Sequence, residues 1–199
     1  AQGHAWVQAL APFWRQNPAT YYGVINEPGV SDLPRMEWLM NFYMGCMEEA
    51  QSQGFRITVG AWSTGMPPLS PEHIALYTPM LRLAKLGGHV LELHEYSLSG
   101  PMIVDPPNPL ILRYRTLYNA LPADARPLLV IAEGGSGAGY GTALFGQPYV
   151  DDWGEYVLRI NADPYVIGAC AYTLKQGEIN LAPVLPLMSQ WMIDHPTPI

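Results

Sequence analysis

The chain has 199 residues, of which 49% are hydrophobic and 14% are charged, with 17 acidic against 10 basic residues. This length allows one domain with a sizeable core and is too short for two full domains. The net charge of −7 repels phosphate backbones and no Lys or Arg cluster offsets it, so we expect no nucleic-acid partner. No window approaches the roughly 18 apolar residues that a membrane span needs, so we expect no membrane partner. No secretion signal is visible, and the cellular localisation stays open.

Predicted helices and strands alternate along the chain, a pattern typical of a parallel sheet covered by helices. Apolar residues at helical spacing predict a first helix over 2–16, and a short apolar run predicts a strand from Tyr21 to Glu27. Four further runs predict strands at 55–61, 89–96, 128–133 and 166–173. The remaining helices are predicted at 34–54, 70–86, 110–121, 150–161 and 181–193. The sequence therefore predicts one α/β domain over 1–199 with five parallel strands.

Three features have structural interpretations. The methionine stripe between Met36 and Met47 is expected to pack in the core. The two cysteines, Cys46 and Cys170, lack metal-ligand spacing and are expected to be buried thiols. The glycine-rich segment 134–141 lacks the Lys-Ser/Thr pair of a phosphate loop, so we expect a flexible loop or lid there.

Two glutamates close short apolar runs, Glu27 just before Pro28 and Glu133 just before Gly134. Parallel α/β sheets place their chemistry at the carboxyl ends of strands, where both carboxylates are expected. Two carboxylates that face one cleft can divide the cleavage of a glycosidic bond, one as proton donor and the other as nucleophile. The pair therefore predicts a glycosidase-type site.

Side-chain alternation on the third and fourth strands predicts partners for Glu133. His94 and Tyr96 share one face of their strand, and Glu133 has the inward parity of the next. A Tyr hydroxyl and a His nitrogen there could hydrogen-bond the carboxylate and hold its rotamer. By the same parity Glu95 points to the helical layer, and Glu92 is expected to be a buried, paired carboxylate deeper in the strand.

Together, Asn26-Glu27-Pro28, His94-x-Tyr96 and Glu133 resemble the clan A glycoside hydrolases, and the resemblance spans essentially the whole chain. Members of this clan are retaining enzymes with (β/α)₈ TIM barrels, whose acid/base and nucleophile lie on the fourth and seventh strands. The resemblance implies a partial barrel, with the five predicted strands as strands four to eight and the first three β/α units missing. It implies Glu27 as acid/base and Glu133 as nucleophile, with no metal and no organic cofactor.

The resemblance also implies residues that bind a carbohydrate substrate. Asn26 would contact the sugar hydroxyl next to the reacting carbon, Tyr96 would bond the nucleophile, and His94 would line the site. Trp62 ends a predicted strand and is the best candidate to stack on a sugar ring. The last strand lacks the Trp that many relatives place near its end, and Tyr172 is the candidate to replace it. Two weaker stacking candidates lie on or near the loops at strand ends, Tyr140 and Trp153.

The leading expectation is a hydrolase that cleaves a β-linked glycoside or polysaccharide by double displacement. One alternative is a catalytically silent carbohydrate-binding or assembly module, and another is an incomplete piece of a larger glycosidase. A partial barrel exposes strand edges, which tend to pair, so we expect self-association or pairing with a missing amino-terminal half. The sugar, the linkage and the choice between internal and terminal cleavage stay open.

Overall fold

The structure is a computed structural model that describes residues 1–173 and 180–196. Its four strands form one parallel sheet in the order β1-β2-β3-β4, surrounded by helices, so the α/β class is confirmed. The strands are β1 Thr58–Trp62, β2 Val90–Tyr96, β3 Leu129–Gly135 and β4 Val166–Ala171. The helices are α1 Gln2–Gln16, α2 Leu33–Ser52, α3 Pro71–Gly87, α4 Tyr114–Ala120, α5 Gly146–Ile160 and α6 Leu185–Asp194. Short 3₁₀ turns lie at Ala123–Ala125 and Ala182–Val184.

The segment predicted as the first strand is not a regular strand. It makes an isolated parallel bridge between Tyr22 and Ile57, and further along the Glu27 amide donates to the Ala61 carbonyl at 3.0 Å. The backbone is irregular at this second contact, since Glu27 and Ala61 have left-handed φ angles of 42° and 43°, and the register of β1 against β2 also shifts there, between Gly60 and Trp62. The prediction of five regular strands is therefore wrong for this segment.

The chain forms two compact units. The first unit comprises Ala1–Leu93 and Arg115–Val130, and the second comprises His94–Tyr114 and Ile131–Ile199. The boundaries fall inside β2 and β3, so both strands contribute residues to each unit. Glu27 belongs to the first unit, and Glu133 belongs to the second.

Helix α2 supplies much of the core of the first unit. Its inward face recurs every three to four residues and is at most 2% exposed, as the methionine stripe predicts; the face comprises Met36, Leu39, Met40, Tyr43 and Met47. Cys46 is fully buried on the same helix, as expected. Asp32 caps α2 by accepting a hydrogen bond from the Arg35 amide at 3.1 Å.

Helix α3 confirms the boundaries that its sequence predicts. Ser70 is the N-cap residue and accepts from the His73 amide at 3.5 Å, while Pro71 occupies the first turn. Gly88 ends the helix with a left-handed φ of 68°. Local chemistry thus defines both ends of this helix.

In the second unit, α5 carries a buried face that includes one acidic residue. The buried positions recur at helical spacing and include Tyr149, Asp152, Trp153, Tyr156 and Ile160. Strand β4 is covered less completely by other elements. Ile167 is accordingly 45% exposed, and Cys170 is exposed as well. The prediction that Cys170 is a buried thiol is therefore wrong.

Candidate active-site residues

Glu133 lies near the carboxyl end of β3, where two side chains of β2 approach its carboxylate. The Tyr96 hydroxyl donates to Glu133 Oε2 at 2.9 Å. His94 Nδ1 lies 3.6 Å from the same oxygen, which is too long for a good hydrogen bond but close enough for an electrostatic contact. The Glu133 side chain is 22% exposed, while that of His94 is fully buried. Three of the predicted site residues are thus brought together in the second unit.

Glu95 points away from this cluster into the helical layer, as its parity predicts. Its carboxylate accepts from the Leu112 and Tyr114 amides at 2.8 and 3.2 Å and from the Tyr156 hydroxyl at 2.9 Å. Burial raises the pKa of Glu95 to about 7, and the hydrogen bonds offset part of that rise. These contacts hold residues 112–114 in a turn with Leu112 at φ 57°, so α4 begins at Tyr114 and not at the predicted Leu110.

Glu92 is the paired carboxylate that its position predicts. It is partly buried on β2 and accepts a hydrogen bond from the Thr58 hydroxyl on β1. The nearby Glu92 charge adds to burial in raising the pKa of Tyr43, whose hydroxyl donates to the Gly60 carbonyl at 2.9 Å. Glu92 therefore belongs to the packing of the first unit.

The loop that follows Glu133 is tightly packed at its start. A Cβ on Gly134 would lie 2.9 Å from the Glu95 carbonyl oxygen, and one on Gly137, at φ 64°, would lie 2.3 Å from Thr142 Oγ1. Between these glycines Ser136 is fully buried. The first two residues of the predicted loop therefore belong to β3, and close approach of the neighbouring backbone explains why position 134 is a glycine, while the flexible loop or lid stays a prediction for the rest of the segment.

Glu27 has a different setting in the first unit. Both Glu27 and Asn26 are exposed, and the Glu27 backbone has the left-handed φ of 42°. This conformation costs a residue with a side chain roughly 1–2 kcal/mol, and such backbone strain clusters at functional sites. The strained, exposed carboxylate is thus a candidate functional group independently of its sequence motif.

The proposed sugar-stacking aromatics occupy contrasting positions. Trp62 is 1% exposed and packs on Tyr77 with ring centroids 5.2 Å apart, so no ring face is open and its stacking role stays a prediction. Tyr172 is partly exposed and meets Tyr96 edge-on at 5.8 Å, beside the Glu133 cluster. Tyr140, in the loop after β3, contacts Tyr149 with ring centroids 4.9 Å apart, whereas Trp153 lies in α5 and is 7% exposed. Of these aromatic residues, Tyr172 has the setting best suited to contact with a ligand of the second unit.

The sequence prediction missed the role of Asp152. This residue is 9% exposed, and its carboxylate accepts from the Met102 and Ile103 amides at 2.8 and 3.1 Å and from the Ser136 hydroxyl. A carboxylate in the apolar stripe of a helix was the available signal, because a buried charge requires hydrogen-bond donors. Its donors could not be inferred, since the two amides belong to a loop with no regular pattern.

No protein-family model matches the chain, and no curated protein sequence matches it. Among the described helices, none is both long and apolar enough to cross a bilayer. The functional interpretation therefore depends on the local chemistry around Glu133 and Glu27.

Proposed function

We propose that this protein is a retaining glycoside hydrolase that acts on a β-linked glycoside or polysaccharide. Glu133 is the nucleophile and Glu27 the acid/base in this proposal. The observation that carries it is the hydrogen bond of 2.9 Å from Tyr96 to Glu133 at the carboxyl end of two adjacent parallel strands. A carboxylate with a fixed orientation and partial exposure at that end of a sheet suits attack on a bound substrate.

The arrangement of donors supports the nucleophile role of Glu133. Tyr96 and His94 both approach Oε2, at 2.9 and 3.6 Å. A carboxylate has two oxygens, and engagement of Oε2 leaves Oε1 as the atom that attacks the anomeric carbon. The hydrogen bond from Tyr96 fixes the carboxylate rotamer before substrate binds, which lowers the entropic part of the barrier.

The proposed reaction has two displacements. In the first, a Glu133 oxygen bonds to the anomeric carbon, the glycosidic C–O bond breaks, and the leaving oxygen takes the proton of Glu27. In the second, Glu27 removes a proton from water, the water oxygen bonds to the anomeric carbon, and the bond to Glu133 breaks. The anomeric configuration is inverted twice and is therefore retained.

The exposure of Glu27 supports the acid/base role. An acid/base must give its proton to the leaving group and take one from water within each turnover. A carboxylate open to solvent can do both, and the exposed Asn26 amide next to it can bind a sugar hydroxyl. The left-handed φ of 42° at Glu27 also takes its backbone out of the conformation of a regular strand.

The experiment that tests this proposal is covalent trapping with a 2-deoxy-2-fluoro aryl β-glycoside. We expect stoichiometric release of the phenol and a mass increase of one fluorosugar on the peptide that contains Glu133. A Glu133→Gln variant is the matched control and should release no burst. Binding of polysaccharide without any burst would favour the silent carbohydrate-binding module, and labelling at another carboxylate would overturn the assignment of Glu133.

The assignment of the strands to part of a barrel belongs to the same proposal. We infer that the four strands and the segment 21–27 correspond to strands four to eight of a (β/α)₈ barrel, a fold that closes with eight strands. The position of β4 at one end of the described sheet and the isolated bridge made by the segment 21–27 support this correspondence, since both offer backbone groups to further strands. We expect the isolated chain to self-associate, and a well-folded, strictly monomeric species in sedimentation would contradict the partial barrel.

A further inference from the structure

We propose that Asp152 is a positioning residue that clamps the loops after β2 and β3 and thereby holds Tyr96 against Glu133. The clamp comprises Asp152, Ser136 and Ser97, with the backbone segments that they bond. Its effect on turnover rests on the proposed glycosidase function, whereas its effect on the contact between Tyr96 and Glu133 does not.

The first part of the clamp joins the chain immediately after Tyr96 to the chain immediately after Glu133. The Ser97 amide donates to the Gly135 carbonyl at 3.2 Å, and the Leu98 amide donates to the Gly137 carbonyl at 2.8 Å. In return, the Gly137 amide donates to the Ser97 hydroxyl oxygen at 2.6 Å. The residues that follow the hydrogen-bonded pair are therefore fixed to each other from both sides.

The second part is the carboxylate of Asp152. One oxygen, Oδ2, accepts from the Met102 amide and from the Ser136 hydroxyl, and Oδ1 accepts from the Ile103 amide. Met102 and Ile103 lie in the loop after β2, and Ser136 lies in the loop after β3. One buried side chain of α5 thus ties both loops to a single rigid helix.

The charge of Asp152 suits this role because all three of its partners are donors. Both oxygens face N–H or O–H groups, so an amide in the same place would direct its own NH₂ at a donor. A buried carboxylate with these hydrogen bonds is stable, whereas replacement of one of its oxygens by an NH₂ group takes the acceptor from at least one of the two amides. Asp152→Asn therefore loosens both loops without a large change in side-chain volume.

Two further groups of α5 reinforce the same loops. Tyr156, one helical turn after Asp152, donates to Glu95 at 2.9 Å, and Glu95 in turn holds residues 112–114. Tyr149, three residues before Asp152, lies with its hydroxyl 3.1 Å from the position of a Cβ on Gly135. This face of α5 accordingly contacts Glu95 in β2, the loop after β2 at Met102 and Ile103, and Gly135 at the end of β3.

The test compares Asp152→Asn with Asp151→Asn, an exposed neighbour on the same helix that accepts from Gln147. A 3-fluorotyrosine placed at position 96 reports the hydrogen bond from Tyr96 to Glu133 through its ¹⁹F chemical shift. The same label in Glu133→Gln provides the reference shift for a protein in which this hydrogen bond is altered. Amide hydrogen exchange at Met102 and Ile103 reports the clamp itself. We expect exchange at these amides to accelerate about 10- to 100-fold in Asp152→Asn, the range for loss of charge-assisted hydrogen bonds.

In Asp152→Asn the Tyr96 signal should move towards its position in Glu133→Gln, whereas Asp151→Asn should match the wild type in both measurements. Faster exchange with an unchanged Tyr96 signal would show a purely structural role and overturn the proposal, as would unchanged exchange. If Asp152→Asn does not fold, Ser136→Ala takes its place, because it removes only one of the three donors to Asp152. Ser136→Ala should move the Tyr96 signal in the same direction, and an unchanged signal would overturn the proposal.

The kinetic readout separates this inference from the proposed function. With an aryl β-glycoside, kcat of Asp152→Asn should fall about 10-fold with KM changed less than about twofold, because the loss is in orientation of the nucleophile. A wild-type chain without turnover would count against the glycosidase proposal alone. In that event the ¹⁹F shift and the amide exchange still decide the role of Asp152.

Discussion

Glu27 and Glu133 end similar apolar runs in the sequence, but the two regions have different local structures. Glu133 lies within a regular strand, is 22% exposed and accepts a hydrogen bond from Tyr96. Glu27 is exposed, lies in a segment with one isolated bridge, and has a left-handed backbone. The same sequence signal thus leads to a partly buried carboxylate within a regular strand in one region and to an exposed carboxylate on an irregular backbone in the other.

This difference matches the different requirements of the two proposed roles. A nucleophile gains from a fixed orientation, because misplacement of the attacking atom by about 1 Å can slow a reaction on the order of 10²-fold. An acid/base must exchange its proton with the leaving group and then with water, so access to solvent is part of its task. The comparison therefore predicts that changes at Glu133 and at Glu27 have unequal and separable consequences.

The largest expected effect is the loss of turnover when either glutamate is removed. Glu133→Ala should lower kcat for an aryl β-glycoside by at least about 10⁴-fold, since no group remains to form the covalent intermediate. Glu27→Ala should also be slow, but azide should restore part of its rate with an activated leaving group. The measurement is initial rate with and without azide, together with identification of the glycosyl azide product.

The matched control for both variants is Glu155→Ala, which removes an exposed carboxylate paired with Arg159 on α5. This variant should retain the wild-type rate. Wild-type turnover in Glu133→Ala or in Glu27→Ala without added nucleophile would show that the replaced glutamate is not needed and would contradict its proposed role.

The second prediction concerns the pH dependence of stability, which should differ between the two units that carry the glutamates. In the second unit, burial raises the pKa of Glu95 from 4.5 to about 7. The unfolded chain therefore releases this proton at lower pH than the native protein does. The stabilisation that protonated Glu95 gives to the native state is fully present below pH 4.5 and is lost as the pH rises through 7. At about 1.4 kcal/mol per pH unit, the loss in unfolding free energy is about 3 kcal/mol relative to Glu95→Gln.

The first unit should respond in the opposite direction. His89 is 2% exposed, its Nδ1 accepts from the Ile57 amide at 3.1 Å, and burial lowers its pKa to about 4. The native pKa of His89 lies below the unfolded value of 6.5. The stabilisation that neutral His89 gives to the native state is therefore fully present above pH 6.5 and is lost as the pH falls through 4. Protection factors of the Ile57 and Tyr114 amides at several pH values should change in opposite senses. Parallel changes in both amides would contradict this separation.

The Tyr96 hydrogen bond provides a smaller and more specific effect. Tyr96→Phe keeps the ring and removes the hydroxyl that donates to Glu133. We expect about a 10-fold fall in the rate of fluorosugar trapping, or about 1.4 kcal/mol, the usual magnitude for one hydrogen bond to a charged group. Tyr165→Phe, which changes a tyrosine near Tyr114, is the control and should leave the trapping rate unchanged. An unaltered rate in Tyr96→Phe would mean that Glu133 does not need this donor.

The parts of the structure that local chemistry controls could be predicted from sequence. The caps of α2 and α3, the buried stripe of α2 and the shared face of His94 and Tyr96 follow from spacing and residue type alone. The position of Glu133 beside Tyr96 follows too, because strand alternation and the adjacency of β2 and β3 define it. These features needed no knowledge of distant contacts.

The parts that distant contacts control could not be predicted. The segment Tyr21–Glu27 contacts β1 where Ala61 has a left-handed backbone, more than 30 residues later in the chain. Trp62 is buried because Tyr77 of α3 packs on it, and Cys170 is exposed because the described elements leave that side of β4 uncovered. Asp152 bonds an amide 50 residues away. In each case the outcome depends on another element whose approach leaves no local signal.

The smallest predicted effect tests the backbone strain that distinguishes Glu27 from Glu133. Glu27→Gly should leave the free energy of unfolding unchanged or raise it by up to about 1 kcal/mol, because glycine adopts a left-handed φ without steric cost. Glu37→Gly, at an exposed position in α2, should instead cost about 1 kcal/mol, since glycine is unfavourable within a helix. Chemical denaturation of both variants against the wild type measures the difference. Equal destabilisation at the two positions would show that Glu27 stores no strain, and its backbone conformation would then not distinguish it energetically from Glu133.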